Sequence, residues 1–188
     1  MRRIVVGVSG SSAPQVGIAL LDVLRQHEDI ETHLVISEGA RRSIRLEADT
    51  DPDEVAAMAT ACYDARDLAA PISSGSFITD GMVVVPCSMR SLAAIATGNS
   101  SDLLTRAADV TLKERRRLVL VTRETPLNLI HIRNMETVTL AGATVFPPVI
   151  AFYHRPQTID DIVSHIVGKI LDQFGVPHKL FDRWSGGA

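Results

Sequence analysis

The sequence predicts an α/β protein: a doubly wound parallel sheet in a Rossmann- or flavodoxin-like three-layer sandwich. Three observations predict it. Short β-branched apolar runs alternate along the chain with longer segments of helical periodicity. Two of those runs, Gly81 to Cys87 and Leu118 to Thr122, are almost wholly apolar, as strands buried on both faces of a parallel sheet are. The loops after the runs concentrate Ser, Gly, Arg and Glu, and ligands of such sheets bind beyond the C-terminal strand ends.

The elements follow in order. Arg2 to Val8 is a β-branched run that stops at Ser9-Gly10-Ser11-Ser12. Pro14 suits the first turn of a helix, where its missing N–H costs nothing, and Val16, Leu20, Leu21 and Leu24 continue at helix spacing. Glu31 to Ile36 reads as a second strand closed by Ser37, and Ala40 to Glu47 as a helix. Asp51-Pro52 opens another by N-cap and N1 chemistry. Ser73-Ser74-Gly75-Ser76 reads as a flexible small-residue loop. Gly81 to Cys87 is a buried strand, and Ser88 caps the helix after it. Asp102 to Arg115 is helical, Leu118 to Thr122 is a strand, and a helix lies within Leu127 to Leu140. Ala143 to Phe146 is a short strand before Pro147-Pro148. Thr158 caps a last helix with Ile162, Ile166, Ile170 and Leu171 on one face, and the tail from Gly175 is irregular. With no repeat and no linker, residues 1–188 are expected to form a single domain.

Composition excludes several classes. Hydrophobic residues make up 46%, enough apolar surface to offset the entropy of ordering, which excludes a disordered chain. A net charge of −3 argues against a nucleic-acid binder, which needs a basic face. No apolar run approaches a membrane span, and Ile4 to Val8 is too short for a signal h-region. Cys62 and Cys87 lie far apart and outside any C-x-x-C, against a disulfide framework or structural zinc. The expectation is a cytoplasmic protein.

Four segments carry possible chemistry, each with a plainer alternative. In Gly7 to Ala13, small residues precede a helix whose free N–H groups suit an anion. It is neither G-x-G-x-x-G nor a P-loop, and a tight strand–helix turn explains it equally well. Pro86-Cys87-Ser88-Met89-Arg90-Ser91 is a second such loop. There Cys87 is either a thiol nucleophile or a small apolar filler, the commoner role of a Cys ending a buried strand. Arg106 and Lys113, seven apart, share a helix face near Arg115, Arg116 and Arg117; they await a ligand or subunit, or pair with Asp109 and Glu114. Arg123-Glu124-Thr125-Pro126 sets an acid beside a base at a strand end, either catalytic or a structural pair.

Taken together the segments resemble the flavin prenyltransferases, the UbiX family. The resemblance is carried by Gly7-Val8-Ser9-Gly10, Ser73 to Phe77, Pro86 to Met89, Leu103 to Val110, Leu112 to Arg116, Arg123 to Leu127, Pro147-Pro148, Ala151 to Tyr153, and Leu171 to Phe174, in order and nearly end to end. It implies a metal-independent transfer of the dimethylallyl group of dimethylallyl phosphate to reduced FMN. The prenylated FMN then serves UbiD-type decarboxylases. It also implies homododecamers with active sites between subunits. By matching positions, FMN would meet Gly10, Ser11, Ser12, Ser37, Ser88, Met89, Arg90, Ser91 and Arg123, with Arg106 near the flavin or its phosphate. The prenyl phosphate would meet Lys113, Arg123, Tyr153 and Lys169. Glu47, Glu124 and Trp184 match further active-site positions.

The chemistry agrees with these residue types. A departing phosphate dianion calls for Lys, Arg and a Tyr hydroxyl. The allylic cation left behind is attracted to an aromatic face, and Trp184 is the one indole. The second bond, to a flavin ring carbon, releases a proton, for which Glu124 is the expected base with Ser12 as relay. Glu47 is expected to protonate the leaving phosphate. One departure concerns the first loop: the family's second glycine is Ala13 here. If that position required positive φ, Ala would be strained; Ala13-Pro14 is expected simply to begin the helix. Two other functions remain in view. One is an FMN-dependent decarboxylase of the related cysteine-decarboxylase group, with a helix histidine as base. The other is a non-catalytic flavin-binding partner of a decarboxylase.

Overall fold

The computed structural model describes residues 1–186. Six parallel strands form one sheet: β1 (Arg2–Val8), β2 (Ile30–Ile36), β3 (Ala61–Tyr63), β4 (Gly81–Cys87), β5 (Arg117–Thr122) and β6 (Thr144–Val145). Their order is β3-β2-β1-β4-β5-β6. The winding therefore reverses between β1 and β4, which pair from Ile4↔Gly81 to Gly7↔Val84. A crevice opens at such a reversal, beyond the strand ends.

Helices cover both faces. α1 (Pro14–Leu24), α2 (Glu38–Glu47), α3 (Pro52–Ala56) and α7 (Ile159–Phe174) pack on one, with Leu20, Leu21, Ile44, Val55, Ile170 and Leu171 in a shared core. α4 (Met89–Ala96), α5 (Leu103–Lys113) and α6 (Leu129–Leu140) pack on the other, around Leu92, Leu103, Leu104 and Val138. Alternate residues of β4 feed the two cores: Val83 and Val85 face one, Met82 and Val84 the other. This double burial is why the strand reads as an unbroken apolar run. No helix among the described residues is long and apolar enough to cross a membrane.

The observed elements meet the sequence reading closely, with three corrections. β3 escaped it: three partly exposed residues at a sheet edge make no apolar run. The Ser73–Ser76 loop is tied down, with Arg106 and Arg116 donating to the carbonyls of Ser73, Gly75 and Phe77. Ala13 is left-handed (φ 67°, ψ 46°). It stands at the N-cap of α1 and does not simply begin it.

Candidate active site

The cleft at the β1/β4 reversal is built by three loops. After β2, Ser37 caps α2 by accepting the Ala40 N–H (3.1 Å). After β4, Ser88 caps α4 by accepting the Ser91 N–H (3.2 Å) and donates to the Ser91 hydroxyl (3.1 Å). After β1, Gly10 runs directly against α2; a Cβ there would stand 2.9 Å from the Gly39 backbone, so only glycine fits. Gly10, Ser37, Gly39, Ser88, Arg90 and Ser91 line a cleft of about 230 Å³. Two helix N-termini and their hydroxyls converge there, a donor set for an anionic group. Ser9, which sequence reasoning placed in the first loop without a role, holds the loops together. Buried Ser9 donates its hydroxyl to the Pro86 carbonyl (2.9 Å) and accepts the Ser88 N–H (2.7 Å). Its only signal was its place directly after the apolar run of β1.

The other residues fall in separate places. Arg123 follows β5; its N–H donates to the Cys87 carbonyl (3.2 Å) and its carbonyl accepts the Ser11 hydroxyl (3.3 Å), which brings its loop to the first loop. Neither Arg90 nor Arg123 has a carboxylate partner among the described residues. Arg123 and Glu124 are therefore not the ion pair of the plainer alternative, and Glu124 instead accepts the Thr125 N–H (3.0 Å). Ser12, expected as a relay to Glu124, meets a different carboxylate. Its hydroxyl donates to Glu47 (2.7 Å), which accepts the Ala13 N–H as well (3.0 Å). Cys87 is fully buried and its thiol is pushed up to about 12 by burial alone, which removes the nucleophile reading.

Arg106 does not line the cleft. It donates to the Ser73 carbonyl (3.1 Å) and pairs with Asp109 (2.8 Å), while Lys113 pairs with Glu114. Both belong to α5. Tyr153, Lys169 and Trp184 gather around α7: the Tyr153 hydroxyl lies 2.8 Å from His165 Nε2, and the Trp184 ring stands edge-on to Tyr153 at 6.2 Å. α5 and α7 lie on opposite faces of the sheet. One chain thus separates Lys113 from the rest of the expected phosphate cluster.

The model of the Flavoprotein family matches residues 1–171. Over 188 residues the chain is 54% identical to a flavin prenyltransferase UbiX of Escherichia coli K12, covering 99% of this chain and all of that protein. The chain belongs to the UbiX flavin prenyltransferase family. A crystal structure of AnUbiX in complex with FMN and dimethylallyl pyrophosphate superposes with a TM-score of 0.97 at 52% identity, covering 100% of this chain and 99% of that one. A dodecameric FMN-dependent UbiX-like decarboxylase from Escherichia coli O157:H7 superposes at 0.96 with 49% identity, over 98% and 100% of the two chains.

Proposed function

We propose that this chain joins the dimethylallyl group of dimethylallyl phosphate to reduced FMN, yielding prenylated FMN for a UbiD-type decarboxylase in the cytoplasm. The observation that carries this reading is the end-to-end likeness to flavin prenyltransferases in a chain that carries all of Lys113, Arg123, Glu124, Tyr153, Lys169 and Trp184. The cleft fits FMN. The close Gly10–Gly39 approach brings the first loop against α2, and the capped ends of α2 and α4 offer N–H groups and serine hydroxyls to its phosphate. Reduced FMN supplies the accepting ring nitrogen and ring carbon.

The chain's residues supply the rest. Arg123, Tyr153 and Lys169, with Lys113 of a second copy, hold the donor phosphate and stabilise the charge that grows as it leaves. Trp184 offers its ring face to the allylic cation. Glu47, bonded to Ser12, gives the leaving phosphate a proton. Glu124 accepts the proton lost when the second bond closes. The site is shared between copies of a homo-oligomer, a dodecamer. The face split supports this, as do the exposed apolar side chains of α6 and the segment after β6: Ile130, Ile132, Leu140, Val149 and Phe152. The cysteine-decarboxylase alternative requires a helix histidine as base, and the chain has none between His33 and His131.

Anaerobic incubation with reduced FMN and dimethylallyl phosphate tests the reading: the released flavin should gain one dimethylallyl unit in mass, and an unchanged mass refutes it. Glu124→Gln keeps shape but removes the base. It should release phosphate normally in the first turnover while the doubly attached product lags by ~10²–10⁴-fold. Equal rates of both would sink the assignment of Glu124.

A further inference from the structure

A second polar cluster lies outside the cleft, where the tail folds back on α7. Asp172, in the last turn of α7, gathers three donors. Arg183 reaches its carboxylate with Nη2 at 2.7 Å and Nη1 at 3.1 Å, His178 Nε2 lies at 3.1 Å, and Lys169 Nζ lies at 3.4 Å. The Arg183 hydrogen bonds, with help from His178, hold the Asp172 carboxyl down at about 2. Arg183 and His178 are tail residues. The helix is shaped to receive them: a Cβ on Gly168 would stand 2.6 Å from both the His178 and Phe181 rings. Phe181 also packs on His165, ring centres 4.6 Å apart. The next tail residue after Arg183 is Trp184, edge-on to Tyr153.

We propose that Asp172 is a positioning residue for prenyl transfer: through Arg183 it holds Trp184 against Tyr153, and through Lys169 it directs the ammonium group toward the donor phosphate. This rests on the reading that the donor meets Tyr153, Lys169 and Trp184.

Two physical points carry it. Trp184 is 67% exposed, so burial does little to fix its ring. The two-pronged Arg183–Asp172 pair, one residue away, is the strong anchor, because a charge-assisted fork fixes both distance and orientation. Lys169, by contrast, makes a single contact and the longest of the set. One carboxylate faces two permanent cations, Lys169 and Arg183, which leaves a surplus positive charge. A phosphate dianion can draw Lys169 to itself while Arg183 keeps Asp172 and the tail in place. The His178, His165 and His154 rings border the same cluster, so the donor pocket and the tail anchor share one face of α7.

The test uses the full-length oligomer and the fact that Trp184 is the chain's single tryptophan. Intrinsic fluorescence therefore reports the tail directly. Asp172→Asn and Arg183→Gln should both raise acrylamide quenching of Trp184 before any donor is added. They should also raise the KM for dimethylallyl phosphate roughly tenfold, the scale of one lost charge-assisted contact, with FMN affinity unchanged. Asp172→Glu should restore part of both. Arg183 is largely exposed at the surface, so its variant still folds and decides the matter even if Asp172→Asn folds poorly. Unchanged Trp184 quenching in Arg183→Gln overturns the proposal. So does increased quenching with an unchanged donor KM, provided Lys169→Ala raises that KM. If Lys169→Ala itself leaves the donor KM unchanged, the donor-site reading fails instead.

Discussion

The cleft between β1 and β4 and the cluster around α7 are made in opposite ways. The cleft is finished within one chain. Its walls are the ends of three adjacent strands, its caps are local, and buried Ser9 binds two of its loops. The α7 cluster is unfinished. Tyr153, Lys169 and Trp184 sit on one sheet face while Lys113 sits on the other, paired to its own neighbour Glu114. On the function proposed above, the difference assigns the flavin to a cleft built by one chain and the donor to a cluster that a second copy completes.

The largest expected effect comes from breaking the assembly. Ile130 lies on α6 and is 68% exposed, in an apolar patch that includes Leu129, Ile132 and Leu140. Ile130→Asp puts a charge where a neighbouring copy would bury the patch, and an unpaired buried charge is costly. Light scattering should show a smaller species. Prenyl transfer should fall by ~10²-fold or more, the scale expected when a reacting geometry is lost, while FMN is still retained. A small species with full transfer activity would show that one chain is sufficient, and the comparison would collapse.

The two regions also differed in how far the sequence alone revealed them. The cleft was legible because its determinants are local: Ser37 and Ser88 each follow a strand and precede a helix, and capping acts over three residues. The doubly wound parallel sheet followed from the alternation of strands and helices, but its strand order did not. What stayed hidden depended on long-range contacts. Ser12 meets Glu47 across 35 residues, and Asp172 meets Arg183 through a tail whose path has no periodicity. Arg123 and Glu124 looked like a pair because they are adjacent, yet the Glu124 carboxylate accepts the Thr125 N–H instead. The resemblance named Lys113 and Tyr153 for one site, and the sequence did not show that α5 and α7 pack on different faces of the sheet.

An intermediate effect sharpens the comparison through pH. Around α7, His165 has its pKa lowered, first by burial and then by His154 and Lys169. On β2, His33 is lowered first by burial. For a group lowered on folding, the unfolded chain binds more protons between the folded value and the ordinary one, about 6.5 for His. Both histidines therefore contribute stability that is complete above that value and is lost as pH falls through the window below it. Asp172 behaves alike further down. Its contribution is present above the ordinary carboxylate value, about 3.9, and disappears as pH falls toward its folded value of about 2. The thermal midpoint should thus drop between pH 7 and pH 5, and His165→Gln should flatten that slope. A midpoint constant over that range would refute the assignment.

The smallest effect concerns the seam between the two regions. Ala13 stands at φ 67°, in a conformation that costs a residue with a Cβ ~1–2 kcal/mol. It is held there because its N–H and the Ser12 hydroxyl both donate to Glu47, and Pro14 must begin α1 immediately afterwards. Glycine relieves the steric cost but gives back ~0.5–1 kcal/mol, because its unfolded backbone has more freedom to lose. The balance favours Ala13→Gly by ~0–1.5 kcal/mol, equivalent to a rise of up to ~6 °C in thermal midpoint for a chain of this size. Because the Glu47 contacts use backbone N–H and the Ser12 side chain, the substitution leaves them intact, and FMN affinity should not change. A lowered midpoint would mean that Ala13 is not left-handed in the folded protein. The loop would then begin α1 directly, as the sequence by itself suggested.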